Sequence, residues 1–201
     1  MAHQTKQYHA EIVAGSLLTN ESRKIAALLL AGLDEKTLYE QVTVNNILQK
    51  RSPASAKRQA KLIRNRLSPL APAVWTMVSE GSHEQATQAL LVAAIMHSRI
   101  VGDFIRQVIA DKVKTYQKYV SFSDWNRFLE ECRLRDPSIL AWSESTTLKI
   151  RQVLFRILAE AGIIESTRTM KIHPFSLRPE ITAILKEHGY TYALDCLEPL
   201  Q

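Results

Sequence analysis

Cysteine is nearly absent: Cys132 and Cys196 stand far apart and form no C-x-x-C pair. That excludes a disulfide framework and a zinc ribbon, and it suits a reducing compartment. Long apolar runs are missing as well. The most apolar stretches, 25–33 and 89–96, fall well short of the ~20 residues a spanning helix needs. The N-terminal MAHQTKQYHAE has no apolar signal-peptide core, so a cytoplasmic protein without a membrane is expected. Catalytic signatures are also lacking: there is no P-loop, no G-x-G-x-x-G, no H-E-x-x-H and no nucleophile elbow. His3, His9, His83, His97, His173 and His188 are scattered, with no pair at metal-ligand spacing, and Asp103 and Asp111 are isolated. The expectation is a protein with no catalysis of its own, no metal and no cofactor. Trp75, Trp125 and Trp142 suit core anchors better than stacking platforms for single strands.

Glycine and proline are scarce, six and seven in the chain, and they sit at points of punctuation. Between them apolar residues recur at three- and four-residue spacing, the helical period. Leu18, Ile25, Leu28 and Leu29 share a stripe closed by Gly32. Ser82 and Gln85 form a capping box before Leu90, Leu91, Ala94 and Ile95. Phe104, Val108, Ile109 and Val113 mark another amphipathic helix. Ser123 is placed to cap a helix carrying Trp125, Phe128, Leu129 and Cys132. Ser143 caps a long helix over 144–161, closed by Gly162. Pro179 suits the first turn of a last helix ended by Gly189. Strand pattern appears only in 162–167 and 168–172, ended by Pro174. The fold class expected is mainly α: a helical bundle with a helix-turn-helix and a C-terminal winged-helix-like region containing one short β-hairpin. A soft boundary separates a helical domain, 1–119, from the winged-helix-like region with its C-terminal helix, 120–201.

Acid is absent from one stretch. KRSPASAKRQAKLIRNR, residues 50–66, holds seven basic residues and no Asp or Glu, in a chain of net charge +6. Ser52 followed by Pro53 is an N-cap with proline at the first helical position, so a helix is expected from there to about Leu67. Ala56, Ala60, Ile63 and Leu67 fall on one stripe and are assigned to the core. Lys57, Lys61 and Arg64 fall on another, with Arg58 on the same side and Lys50 and Arg51 before the cap. Val44, Ile47 and Leu48 are read as a short apolar helix, which makes 44–67 a helix-turn-helix. Free N–H groups near Ser55 and the helix dipole attract phosphate, and the cationic stripe suits a major groove. Like charges at Lys57 and Lys61 disfavour an isolated helix, a cost an anionic partner relieves.

In the C-terminal part, the helix over 144–161 is the reader in a winged-helix order. Ile150, Leu154, Ile157 and Leu158 face its core, while Thr147, Lys149, Arg151 and Arg156 are expected to be exposed. Arg168 and Lys171 fall on the wing, where a side chain enters a minor groove. Glu144, Glu160 and Glu165 dilute this charge, and winged helices also dock proteins, so DNA and protein contact both stay open here.

Three stretches resemble the BrxA family, small accessory proteins of bacterial BREX phage-defence systems: AEIVAGSLLTNESRKIAALLL from Ala10, NNILQKRSPASAKRQAKLIRNRL from Asn45 and WSESTTLKIRQVLFRILAEAGII from Trp142. The resemblance implies an all-helical, winged-helix-containing, DNA-binding protein acting beside other BREX proteins, among them a methyltransferase and large ATPases. It supplies no site residues. The expected partner is double-stranded DNA. The alternatives are an adaptor that docks an acidic protein through the basic face, and an RNA-binding helical protein.

Overall fold

The computed structural model describes residues 8–201; the first seven residues, with His3 and most of the polar N-terminal stretch, lie outside the described residues. The helices are α1 (Thr19–Leu30), α2 (Glu35–Thr43), α3 (Pro53–Leu67), α4 (Pro72–Ser79), α5 (His83–His97), α6 (Arg99–Lys114), α7 (Phe122–Arg135), α8 (Glu144–Glu160), α9 (Pro179–Glu187) and α10 (Thr191–Leu197). Short 3₁₀ turns cover Glu11–Ala14, Pro137–Ala141 and Glu198–Leu200. Residues Ile105–Ile109 of α6 wind as a π-helix.

The α5 helix is the axis of the core. Every residue from Ala86 to Ile95 is buried, as expected for a helix with no polar face. Its capping box forms as the sequence implies, with Ser82 and Gln85 each meeting the other's backbone. Thr87 and Gln88 are the polar residues within that buried run. The Gln88 amide donates to the Ser176 carbonyl at 2.9 Å and accepts from the Arg178 N–H at 2.8 Å, so its buried groups are satisfied and the segment before α9 is fixed to α5. At the end of α5 the chain turns sharply into α6, by 107°. No single helix among the described residues is long and apolar enough to cross a membrane.

A buried carboxylate ties three parts of the chain together. Asp103 on α6 accepts from the hydroxyl of Tyr8 at 2.8 Å and of Tyr192 at 2.9 Å, and from Arg106 at 3.3 Å. Gly102 beside it lets Tyr192 approach: a Cβ on Gly102 would lie 2.5 Å from the tyrosine oxygen. An aromatic cluster of Phe104, Trp125, Phe128 and Phe155 packs α6 against α7 and α8.

Four expectations need correction. The segment Val44–Leu48 is not a helix. The helix before α3 is α2, capped by Asp34, whose side chain accepts from the Thr37 N–H; Leu38 and Val42 carry its buried face. The connection from α2 to α3 passes through left-handed residues Asn46 and Gln49, which interrupt helical hydrogen bonding, and Val44 is 73% exposed. The cap of α7 is Ser121, not Ser123, because Asp124 completes a capping box with Ser121. The strand pattern of 162–172 yields only isolated antiparallel bridges, Ile164 with Ile172 and Tyr119 with Lys171. The backbone there turns back on itself at once: the Met170 N–H donates to the Ser166 carbonyl at 2.9 Å, leaving too few residues for longer ladders. Last, the helix ended by Gly189 is not the final one, since α10 follows it.

Candidate nucleic-acid interface

The basic helix forms as its signals require. Ser52 is the N-cap of α3, Pro53 opens it, and Ala56, Ala60, Ile63 and Leu67 are buried. Its cations then divide by environment. Arg51, Lys57, Arg58 and Lys61 are exposed, and none lies within ion-pair distance of an acid among the described residues. Lys50 is half-buried and paired with Glu21 of α1. Arg64 is half-buried, 2.8 Å from Glu35 of α2, with its guanidinium 5.9 Å from the centre of the Tyr39 ring. Ser55 spends its N–H on the Ser52 hydroxyl, at 3.5 Å.

The seventh cation, Arg66, is an interior residue. Its guanidinium donates to the Ser16 and Gly15 carbonyls at the entrance to α1. Burial lowers its pKa to about 10, with Glu160 opposing the shift, so it stays charged at neutral pH. Glu160 in turn accepts from the Ser16 hydroxyl at 2.8 Å and the Leu17 N–H at 2.9 Å.

A cleft of about 810 Å³ lies beside the exposed stripe, between α2 and α3. Lys57 and Lys61 line it from one side, and Glu35, Lys36, Tyr39 and Glu40 from the other. These acids dilute the field on that flank, which Arg51 and Arg58 do not line; Glu11 shares a smaller cleft with Arg58 and Lys61 on the other.

The C-terminal residues form a separate patch. Phe122, Lys149, Arg151, Arg156, Thr167 and Met170 are among those lining a cleft of about 420 Å³ that contains no acid. Arg151 lies 4.2 Å from the centre of the half-exposed Phe122 ring, a cation–π contact that holds the guanidinium in place. Lys149, Arg168 and Lys171 are exposed. Thr147 is half-buried, with its hydroxyl oxygen turned inward and unpartnered. Phe122 carried no functional signal in the sequence, because its place beside Arg151 depends on how α7 packs on α8. No residue lines both clefts.

Residues 6–189 match the BrxA family along most of the chain. This chain belongs to the BrxA family. A "BREX protein BrxA" of Paramagnetospirillum magneticum (strain ATCC 700264 / AMB-1) is 39% identical over 192 residues, 96% of each protein. One from Escherichia coli O9:H4 (strain HS) is 35% identical over 198 residues, covering 98% of this chain and 93% of that protein. A crystal structure of an uncharacterized protein from Magnetospirillum magneticum superposes with a TM-score of 0.89 at 38% identity, over 95% of this chain and 98% of the other. The BrxA assignment and the mainly helical fold expected from sequence therefore both hold. The names of these BrxA relatives carry no catalytic activity.

Proposed function

We propose that this member of the BrxA family is a double-stranded DNA-binding accessory protein of a BREX phage-defence system, without catalysis of its own, working beside other BREX proteins. The observation that supports this reading is the stripe of exposed cations on and before α3, Arg51, Lys57, Arg58 and Lys61, each free of an acidic partner. Cations held together without an acid at ion-pair distance repel one another, and a row of phosphates relieves that cost. The helix diameter suits a major groove, and α2 followed by α3 supports a helix-turn-helix reading, with an earlier first helix than the sequence suggested and a longer connection over 44–52. The acid-free cleft at Arg151, with Arg168 and Lys171 on the winged-helix-like segment, offers a second contact surface.

A salt titration of binding to duplexes of different sequence tests the reading. Four phosphate contacts from the α3 stripe give a log–log slope of about −3.6, at about −0.9 per contact. A folded Lys57→Glu/Lys61→Glu variant that binds duplex DNA with an unchanged slope would defeat it.

A second reading, an adaptor for another BREX protein, is favoured by Leu134 and Leu140, which are 85% and 68% exposed where α7 ends and the next turn begins. Apolar side chains of this size left to water mark interaction surfaces when they cluster. A nuclease-resistant stoichiometric complex lost in Leu134→Ser would support it.

A further inference from the structure

Sequence spacing hides one cluster that the fold assembles. His9 and Glu11, at the first 3₁₀ turn, meet His97 at the end of α5, 86 to 88 residues away. We propose that His9, Glu11 and His97 form a binding site for a divalent transition-metal ion of the zinc type.

The geometry is close to what such an ion requires. One nitrogen of each imidazole and one Glu11 oxygen lie within 4.8 Å of one another. His97 Nε2 and Glu11 Oε2 are 3.0 Å apart. Ligand atoms on a tetrahedral zinc at bond lengths of about 2.0–2.1 Å are separated by about 3.3 Å. That pair therefore needs to open only slightly, while His9 swings inward. Two imidazoles, one carboxylate and a water make a common zinc ligand set.

The hydrogen bonds already fix the protons. His9 Nε2 lies 2.7 Å from the His97 carbonyl, which can only accept, so Nε2 carries the hydrogen and Nδ1 is left as a bare lone pair. That Nδ1 is buried and has no partner. A histidine whose outer N–H is held by a backbone carbonyl while its other nitrogen stands free is the usual orientation of a metal ligand. The rings of His9 and His97 meet edge to face, 4.9 Å between centres, so they are already packed as a pair. For the ion to take His97 Nε2, the ring hydrogen moves from Nε2 to Nδ1, which exposes the Nε2 lone pair without net loss of a proton. The opposing charge is Arg66, which Glu160 offsets.

The cluster borders the basic helix, because Glu11 lines the same small cleft as Arg58, Lys61 and Asn65. The ion would thus fix the 3₁₀ turn against the end of α5.

The test uses the full chain without an affinity tag, treated with chelator and then titrated with zinc chloride. The expected result is one zinc per chain retained through gel filtration and a rise in melting temperature of several degrees. His9→Gln and His97→Gln should each abolish retention with unchanged circular dichroism, while His173→Gln should not. Absence of retained zinc, or retention in either of the two site variants, overturns the proposal. Should a site variant fail to fold, the visible spectrum of the cobalt-loaded wild-type chain decides: intense tetrahedral bands support the site, and the weak spectrum of the hydrated ion refutes it.

Discussion

Arg66 donates through Nη2 to the carbonyl oxygen of Gly15 at 3.1 Å, from a position where its side chain is almost wholly excluded from water. A charge-assisted bond of this kind closes the start of α1 onto the middle of the molecule. Replacing Arg66 by Met removes the donors and leaves the Gly15 and Ser16 carbonyls short of partners and Glu160 without its neighbour. The expected cost is about 2–4 kcal/mol, read from urea unfolding. A loss under about 0.5 kcal/mol would show that water serves these carbonyls equally well.

The cations of α3 should separate into two functional grades. Lys57→Gln with Lys61→Gln should lower duplex affinity at low salt and reduce the magnitude of the salt slope by about 1.8, at about 0.9 per lost contact. Arg64→Gln should change the slope by less, because Glu35 already meets that charge. Equal effects from both variants would place Arg64 in the contact surface after all. Fluorescence anisotropy over a salt series measures this.

Much of this division was legible in the sequence, and part was not. The core stripe Ala56, Ala60, Ile63 and Leu67 follows from a 3.6-residue period, and Ser52-Pro53 marks the helix start by local chemistry alone. Arg66 could not be told from its exposed neighbours, because its burial is decided by two carbonyls some fifty residues away. The first helix of the pair was missed for a related reason. Glu35–Thr43 has only Leu38 and Val42 as buried anchors, and its more apolar continuation at Val44 is broken by left-handed Asn46 and Gln49, residues whose sequence signal is weak. The choice between Ser121 and Ser123 rested on where Asp124 turns its carboxylate. His9, Glu11 and His97 carry no spacing motif, since the approach of an N-terminal turn to the end of α5 is wholly tertiary.

Acid should weaken the fold earlier than its carboxylates alone would dictate. His97 stays neutral in the folded chain down to about pH 4, whereas in the unfolded chain it protonates near its ordinary 6.5. Between these values the unfolded state binds more protons, so this contribution is complete above pH 6.5 and is lost as pH falls toward 4. The slope is at most about 1.4 kcal/mol per pH unit in that window. Unfolding of chelator-treated protein between pH 7 and pH 5 should show the decline, and His97→Gln should flatten it. An identical profile in the variant would assign the acid sensitivity elsewhere.

Gly102→Ala should be disruptive despite adding one methyl group. The new carbon would lie 2.5 Å from the Tyr192 oxygen, and the hydroxyl cannot retreat without giving up Asp103. A loss of about 1–3 kcal/mol is expected from overpacking. Thermal melting of Gly102→Ala beside Gly102→Ala/Tyr192→Ala checks the cause: relief by the second substitution implicates the clash, and simple additivity argues against it.

The carboxylate of Asp103 also has a topological meaning. One of its oxygens holds a tyrosine from the beginning of the described chain and the other a tyrosine from its last helix. The polypeptide is thereby fastened like a belt on a single buckle, with remote stretches kept in register by one residue. Strain applied at either stretch is thus felt at the same carboxylate.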